Sequence, residues 1–168
     1  RLEVHNLSAG RLGNVDLQLR DGELLGIAGL QGQGQADLLM AIFGAIPSTG
    51  EMILSGNPVR FRHPVQAMRH DVALVPGDRA SEGLLLIRSI LENFHLPSWG
   101  NYGFPLNMNA ARHDANKSVE ELSLVMESLD APVSSLSGGN AQKVVIGKWL
   151  LRKPKLLLLN DPTKGVDV

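Results

Sequence analysis

The chain has 168 residues, no cysteine and a formal net charge of −1, with 43% hydrophobic and 20% charged residues. This length fits one domain with a substantial core, and the composition is typical of a soluble globular protein. The near-neutral charge excludes the basic footprint of a nucleic-acid or anionic-membrane binder, and the missing cysteines exclude disulfides and thiolate metal sites. No apolar run approaches the roughly 20 residues that a transmembrane helix needs, and the N-terminus lacks the apolar core of a signal peptide.

Strand and helix patterns alternate over the first half of the chain. Alternating apolar residues predict two short strands, and a continuous apolar run after the Asp21-Gly22 turn predicts a strand buried on both faces. A glycine-rich loop and a helix closed by Gly44 follow. In chain order the predicted elements are strands over 2–7, 15–20 and 23–29, a loop over 29–35, a helix over 36–44, a strand over 51–56, a helix over 63–70 and a strand over 71–77.

The pattern changes between about Leu84 and Ser135, where prolines and glycines punctuate a loop before a long helix. A single apolar stripe predicts this helix over 109–130, and its members are Val119, Leu122, Val125, Met126 and Leu129. A helix over 139–151 and a strongly buried strand over 155–161 follow. Strands and helices therefore alternate at both ends of the chain, which predicts an α/β core carrying a mainly helical insert.

The stretch Gly29–Leu39, GLQGQGQADLL, has the glycine spacing of a phosphate-binding loop between a strand and a helix. Such glycines let backbone N–H groups converge on an anion, and the helix N-terminus adds its positive dipole end. Gln35 and Ala36 replace the lysine and the hydroxyl that would reach the phosphates and magnesium. Because Gln35 donates only a neutral hydrogen bond, we expect phosphate binding weakened by about one or two decades. Taken alone, such a loop is equally a common structural device.

Two further motifs decide between these interpretations. LSGGN, Leu136 to Asn140, stands at the start of a predicted helix, and LLLLNDPTKGVDV occupies residues 156–168. With the loop, these motifs resemble in order those of the ABC (ATP-binding cassette) ATPases: a phosphate loop, a signature in a helical lobe and a magnesium-binding strand. The resemblance covers essentially the whole chain. For LSGG alone, the structural alternative is a helix N-capped by Ser137.

A narrower resemblance is to the sugar-importer branch of that family. LVPGDRASEGLL, residues 74–85, is similar to a Pro-Glu-Asp-Arg…Gly-Leu segment of that branch, and GQGQAD, LSGGNAQK and NDPTKGVD resemble motifs of its second ATPase domain. The resemblance implies a P-loop NTPase core of mixed sheet and helices, with a peripheral antiparallel sheet and an inserted helical lobe. It implies one domain over 1–168 that ends before the family's switch histidine, with core segments 1–83 and 141–168 and a signature lobe over 84–140.

The resemblance also implies roles for individual residues. The phosphate-binding positions would be Gly29, Gln31, Gly32, Gln33, Gly34, Gln35, Ala36 and Asp37. The signature positions, which face a nucleotide held by a partner domain, would be Leu136, Ser137, Gly138, Gly139 and Asn140. The other positions would be Gly77 and Asp78 in a Q-loop-like segment, Ala36 and Asn160 at the magnesium, Asp161 as the catalytic residue and Asp167 at a dimer contact.

Several of these positions depart from the family pattern. Asn160 replaces the metal-associated aspartate and so removes a negative charge beside a dication. Asp161 replaces the catalytic glutamate with a carboxylate that is one methylene shorter. Gly77 replaces an acidic residue, and Asp78 is either a ligand through water or a turn carboxylate. For Asn160 and Asp161, the structural alternative is a polar strand end before a proline turn, and for Asp167 it is a surface turn.

The signature is intact although the loop and the magnesium strand are altered. In the ABC family two ATPase domains dimerise head to tail, and each nucleotide lies between the loop of one domain and the signature of the other. The resemblance therefore implies an ATPase domain whose own site is degenerate, while Ser137, Gly138 and Gly139 complete the partner's site. We expect the activity of this domain alone to be weak.

The resemblance implies ATP and Mg²⁺ as cofactors and a cytoplasmic location, peripheral to the inner or plasma membrane. It implies three partners, namely a second ABC ATPase domain, transmembrane permease subunits and an extracytoplasmic sugar-binding protein, and ATP hydrolysis that energises import of a sugar-like solute. Two alternatives stay open. One is a non-hydrolytic regulatory or structural ABC domain, and the other is a soluble ABC protein of DNA repair or translation, which the neutral charge disfavours.

The remaining chemistry-bearing side chains favour structural interpretations. The histidines, which lack metal-ligand spacing, are His5, His63, His70, His95 and His113. Trp99 and Tyr102 are interpreted as core-edge packing, with a docking surface for the membrane subunit as the alternative. No aromatic residue stands near residues 4–12 to stack on adenine, as family members often have, which lowers the expected nucleotide affinity.

Overall fold

An antiparallel sheet organises the first 74 residues. The computed structural model describes residues 1–30 and 32–163, and the chain divides into one unit that ends at Leu74 and another that begins at Val75. The sheet of the first unit has the order β2-β1-β3-β4, and each neighbouring pair is antiparallel. Its strands are β1 (Leu2–Ala9), β2 (Leu12–Leu19), β3 (Thr49–Leu54) and β4 (Asn57–Val59).

Strand β1 lies between β2 and β3, and its apolar side chains are buried at Leu2, Val4, Leu7 and Ala9. Val4 lies opposite Leu17 on one side and Met52 on the other, and both Val4 and Met52 are buried. Helix α1 (Gln35–Ile42) packs against β1 and β2 through a face that includes the buried Leu38 and Ile42. Helix α2 (Pro64–Arg69) and strand β5 (Val72–Val75) follow in the chain.

Three helices dominate the second unit. They are α3 (Ile90–His95), α4 (Met108–Glu121) and α5 (Gly138–Leu150), with a π-helical turn at Arg79–Gly83 and 3₁₀ turns at Trp99–Tyr102 and Val133–Ser135. Helix α3 packs against both α4 and α5. Strand β6 (Leu156–Leu159) lies beside the end of β5, where the Asn160 N–H donates to the Val75 carbonyl at 3.0 Å.

Helices α3 and α5 approach each other at Gly147. A Cβ atom on Gly147 would lie 2.5 Å from Cε1 of Phe94 and 2.8 Å from Cδ1 of Leu122. The Phe94 ring is fully buried, so it has no solvent-filled space into which it can move. The short separation between the two helices therefore requires a residue without a side chain at position 147.

Two sequence-based predictions differ from the structure. The predicted buried strand over 23–29 is not formed, and its Leu24 is 91% exposed. A buried strand needs neighbouring strands to satisfy its backbone, and no described strand pairs with this segment. The predicted helix over 109–130 ends at Glu121, since Ser123 adopts φ 49° and its carbonyl accepts a hydrogen bond from Lys143 Nζ at 2.7 Å.

Early termination of α4 divides the predicted apolar stripe. Leu129 is still buried, but it reaches the core from a non-helical segment, whereas Val125 is 73% exposed. Within residues 1–30 and 32–163, no helix combines the length and the apolar character that crossing a bilayer requires.

Gly147→Ala is expected to lower the free energy of unfolding by about 1–3 kcal/mol, because the added methyl group overlaps the immobile Phe94 ring. Alanine favours the helix over glycine by about 1 kcal/mol, and this gain offsets only part of the packing strain. Urea unfolding measures the change. Gly100→Ala is the matched control, since a Cβ there meets nothing within 4 Å, and equal losses from the two variants would contradict the packing argument.

Candidate nucleotide-binding site

The glycine loop enters α1 through a residue in the left-handed region. Gly34, the N-cap of α1, has φ 99° and no side-chain cap. A Cβ on Gly34 would lie 3.0 Å from the backbone N and Cα of Leu12, so glycine satisfies both the dihedral angle and the available space. The turn between β1 and β2 therefore packs directly against the loop.

Two glutamine side chains hold the loop by bonding to Leu30. Gln33 Oε1 accepts from the Leu30 N–H at 3.2 Å, and Gln35 Nε2 donates to the Leu30 carbonyl at 3.0 Å. Gln35 stands at the position of the expected lysine, yet its amide completes the loop's own hydrogen bonding. The adjacent Ala36 contributes no side-chain oxygen.

Asp37 links α1 to the turn between β1 and β2. Its Oδ2 accepts from the Arg11 backbone N–H at 2.8 Å, and a Cβ on Gly10 would lie 2.6 Å from the same oxygen. The carboxylate also lies in the first turn of α1, where it interacts favourably with the helix dipole. Asp37 thus has a positioning role between two segments that are distant in sequence.

The serine–glycine motif begins α5 in the second unit. Ser137 is the N-cap of this 13-residue helix, and its exposed Oγ accepts from the Asn140 backbone N–H at 3.4 Å and from Asn140 Nδ2 at 3.2 Å. Asn140 Oδ1 in turn accepts from the Val125 N–H at 3.1 Å. Because the Ser137 oxygen accepts both bonds, its own O–H proton remains to donate to an incoming acceptor.

The polar end of β6 lies against the segment that follows β5. A Cβ on Gly77 would lie 3.0 Å from Nδ2 of Asn160, so the two residues are in close contact. Asp161 follows with φ 45° and is exposed. Asp78 Oδ1 accepts from the backbone N–H groups of Ala80 and Ser81 at 3.0 and 3.1 Å and so caps the π-helical turn.

Comparison with known proteins assigns the family. A family profile described as ABC transporter matches residues 12–164. The chain belongs to the ABC transporter family. The ribose import ATP-binding protein RbsA of Geobacillus kaustophilus is 43% identical over 173 residues, which cover 100% of this chain and 35% of that protein. The xylose import ATP-binding protein XylG of Moorella thermoacetica is 40% identical over 178 residues, with 99% and 35% covered.

The chain spans about a third of the length of the curated relatives it matches. Among solved structures, the dimeric ATP-binding cassette MJ0796 bound to ADP and Pi has a TM-score of 0.83 at 23% identity, over 99% of this chain and 76% of that chain. This likeness confirms the predicted ABC-type α/β fold. The division into a core and a lobe over 84–140 stays a prediction.

The residues at the family's magnesium positions are a poor set of ligands for that ion. Mg²⁺ prefers carboxylate, hydroxyl and water oxygens, whereas Ala36 supplies no side-chain oxygen and Asn160 supplies a neutral amide. No group of three or more acidic or histidine side chains is clustered for metal binding among the described residues. The ABC domain's own loop and strand therefore do not fit a magnesium ion.

The residues of the candidate site are divided between the two units of the chain. The loop residues lie in the first unit, and the signature residues with Gly77, Asp78, Asn160 and Asp161 lie in the second. Gln31 and Asp167 lie outside the described residues. The roles predicted for all these side chains stay predictions.

The sequence analysis did not predict the role of Lys148, a buried lysine that connects α5 to the π-helical turn. Lys148 is 4% exposed, and its Nζ donates a short hydrogen bond to the Gly83 carbonyl. Burial lowers the pKa of Lys148 from its usual 10.5 to about 8. A signal was present, because Lys148 follows Val144 by four residues and Val145 by three and so continues the apolar face of α5.

Helix α3 was not among the elements predicted from the sequence, although the sequence contains its capping box. Ser89 and Glu92 form a reciprocal capping box, with Glu92 Oε2 accepting from the Ser89 N–H at 2.9 Å and Ser89 Oγ accepting from the Glu92 N–H at 3.1 Å. The buried Asn93 then accepts from the Leu85 N–H at 2.8 Å and donates to the Leu85 carbonyl at 3.0 Å. Asn93 thereby fixes the loop before α3.

The aromatic side chains pack around a buried histidine. Ring centroids of Trp99 and Tyr102 lie 5.2 and 4.7 Å from that of His95. His95 Nε2 lies 2.8 Å from the Ala111 carbonyl, and burial lowers the pKa of His95 below its usual value. Tyr102 donates to Asp114 Oδ2 at 2.9 Å. These contacts match the core-edge interpretation of both aromatic residues.

The free energy of unfolding is expected to rise between pH 8 and pH 10 because of Lys148. Its pKa is lowered in the folded state, so over this range the unfolded chain binds more protons, and stability increases with pH by up to about 3 kcal/mol. Urea titrations at several pH values test this. The range stops at pH 10 because burial raises the pKa of Tyr102 to about 12, which opposes the trend above that pH.

Lys148→Met should abolish this rise, whereas Lys117→Met should retain it, since the Lys117 side chain is 69% exposed. An unchanged slope in the Lys148 variant would show that the proton uptake arises elsewhere.

Proposed function

We propose that this chain is an ATP-binding domain of an ABC importer for a sugar-like solute, and that it completes a composite ATP site held chiefly by a second ATPase domain. The observation that carries the proposal is the exposed Ser137 hydroxyl at the start of α5. That arrangement combines an available O–H donor with a helix N-terminus, and both stabilise negative charge on a phosphate.

The domain's own loop supports an unequal division of the chemistry. Gln35 bonds to the Leu30 carbonyl instead of presenting a charge, and neither Ala36 nor Asn160 supplies an anionic ligand. Hydrogen bonds to charged groups contribute about 1.5–3 kcal/mol against about 1 kcal/mol for neutral pairs, so a phosphate here is held more weakly than in a lysine-bearing loop. Any magnesium at the composite site would be held by the partner domain's residues.

The relatives support the transport role. Their names describe ribose and xylose import ATP-binding proteins, and this chain matches about a third of each. Such a system would pair this domain with a second ATPase domain, permease subunits and an extracytoplasmic sugar-binding protein, on the cytoplasmic face of the membrane. The sugar itself would be selected by the permease and the binding protein.

A non-hydrolytic regulatory role is the second candidate, and one observation favours it. The exposed Asp161 follows β6, beside the neutral Asn160. In-line attack of water on a phosphate needs a positioned base and charge neutralisation, and this domain's own residues offer little of the second. The soluble DNA-repair or translation alternative is disfavoured by the net charge of −1 and by the transport names of the relatives.

Ser137→Ala is expected to lower ATP turnover of the assembled transporter by about a hundredfold, the loss typical for removal of one donor to a developing negative charge. Because alanine also removes the N-cap of α5, Ser137→Asn is the informative companion: it keeps the cap but lacks the hydroxyl. Ser134→Ala is the control at an exposed serine on the same segment. Full turnover by Ser137→Ala would refute a role for the hydroxyl, since alanine supplies no donor in its place.

The chain on its own is expected to bind ATP weakly and to turn it over slowly. Calorimetry measures the binding, and release of labelled phosphate measures the turnover. Measurable binding with negligible turnover supports the composite-site proposal, whereas no binding at any accessible concentration favours the regulatory alternative. Rapid turnover without a partner domain would refute the unequal division.

A further inference from the structure

The turn between β1 and β2 lies against the glycine loop and the first turn of α1 at three successive residues. Gly10 faces the carboxylate of Asp37, and the backbone of Leu12 faces Gly34. Between them, Nη1 of Arg11 lies 3.4 Å from the position that a Cβ on Gly32 would take. The guanidinium group of Arg11 therefore lies beside Gly32 of the loop.

The backbone of Arg11 is fixed while its side chain is exposed. Its N–H donates to Asp37 Oδ2 at 2.8 Å, which ties the residue to the first turn of α1. Among the residues that the structure describes, no carboxylate forms an ion pair with the Arg11 guanidinium. The side chain is thus anchored at its base and has donors available at its end.

The charges around the loop explain why a cation near Gly32 would favour phosphate binding. The loop's own side chain at the lysine position is the neutral Gln35, which is engaged with the Leu30 carbonyl. Asp37 adds a negative charge in the first turn of α1, and that charge opposes a phosphate approaching the helix N-terminus. A guanidinium beside Gly32 offsets this repulsion and provides planar N–H donors that match phosphate oxygens.

We propose that Arg11 supplies from the neighbouring hairpin the phosphate-binding cation that the loop lacks. This inference rests on the proposed function, since it assumes that the glycine loop faces the phosphates of ATP. Arg11 is then a binding residue of the degenerate site, and that site retains a charge-assisted contact to the triphosphate although the lysine is absent.

The test measures binding of two probes to the full chain by calorimetry without magnesium. The probes are ATP and inorganic tripolyphosphate, which lacks the base and the ribose. Arg11→Gln should weaken the binding of both probes by about tenfold to a hundredfold, the loss expected when a hydrogen bond to a charged group is removed. Arg11→Lys should retain most of the affinity because it keeps the charge.

Arg62→Gln is the matched control, since it removes the same charge from another exposed arginine of the first unit. Its binding of both probes should equal that of the unmodified chain. Arg11→Gln is expected to fold normally, because the backbone N–H that bonds Asp37 is retained and the side chain is exposed.

The outcomes separate this inference from the proposed function. If the unmodified chain binds both probes and Arg11→Gln binds them equally well, the assignment of Arg11 is overturned while the proposed function stands. If Arg11→Gln weakens ATP alone and leaves tripolyphosphate unchanged, Arg11 contacts the base or the ribose, and the phosphate assignment is overturned. If the unmodified chain binds neither probe, the proposed nucleotide site itself fails.

Discussion

The hydrogen bond from the Arg11 N–H to the Asp37 carboxylate holds the start of α1 against the turn between β1 and β2. Three close contacts depend on it, because the turn can lie on the glycine loop only while Gly10, Arg11 and Leu12 keep their positions beside Asp37, Gly32 and Gly34. The loop therefore has its shape from the hairpin as well as from its own glycines. Its two glutamines add bonds to Leu30 that a bare glycine loop would lack.

A comparable arrangement supports the signature in the second unit. Ser137 caps α5, Asn140 bonds both the Ser137 oxygen and the Val125 N–H, and Lys148 fastens the far part of α5 to the Gly83 carbonyl. These bonds join α5 to two segments that precede it in the chain, so the exposed hydroxyl is carried on a fixed helix. A preorganised donor of this kind loses little entropy when an anion arrives.

The two halves differ in the charge they offer to a phosphate. The loop positions where the family has a lysine and a hydroxyl carry Gln35 and Ala36, and the strand position for a metal-associated aspartate carries Asn160. Ser137, by contrast, has both its hydroxyl and the N-terminus of a 13-residue helix. This difference in local electrostatics is the physical basis of the proposal that a partner domain provides the stronger part of ATP binding.

The amino-acid sequence by itself determined the order of the three motifs, the family and the elements with a clear period, such as β1, β2, α1 and α5. Those features are local, since periodicity and motif spacing are properties of adjacent residues. The sequence also carries the capping box of α3 at Ser89 and Glu92, which is likewise a local signal.

The tertiary structure alone decided where α4 ends, that Lys148 is buried and that Arg11 lies beside Gly32. Each of these depends on residues far apart in the chain: Arg11 and Asp37 are 26 positions apart, and Gly83 and Lys148 are 65 apart. The apolar run over 23–29 shows the same limit, because its composition predicts a buried strand but only a paired neighbour can form one. Burial, pairing and charge placement are set by which distant segments meet, and local patterns do not specify those meetings.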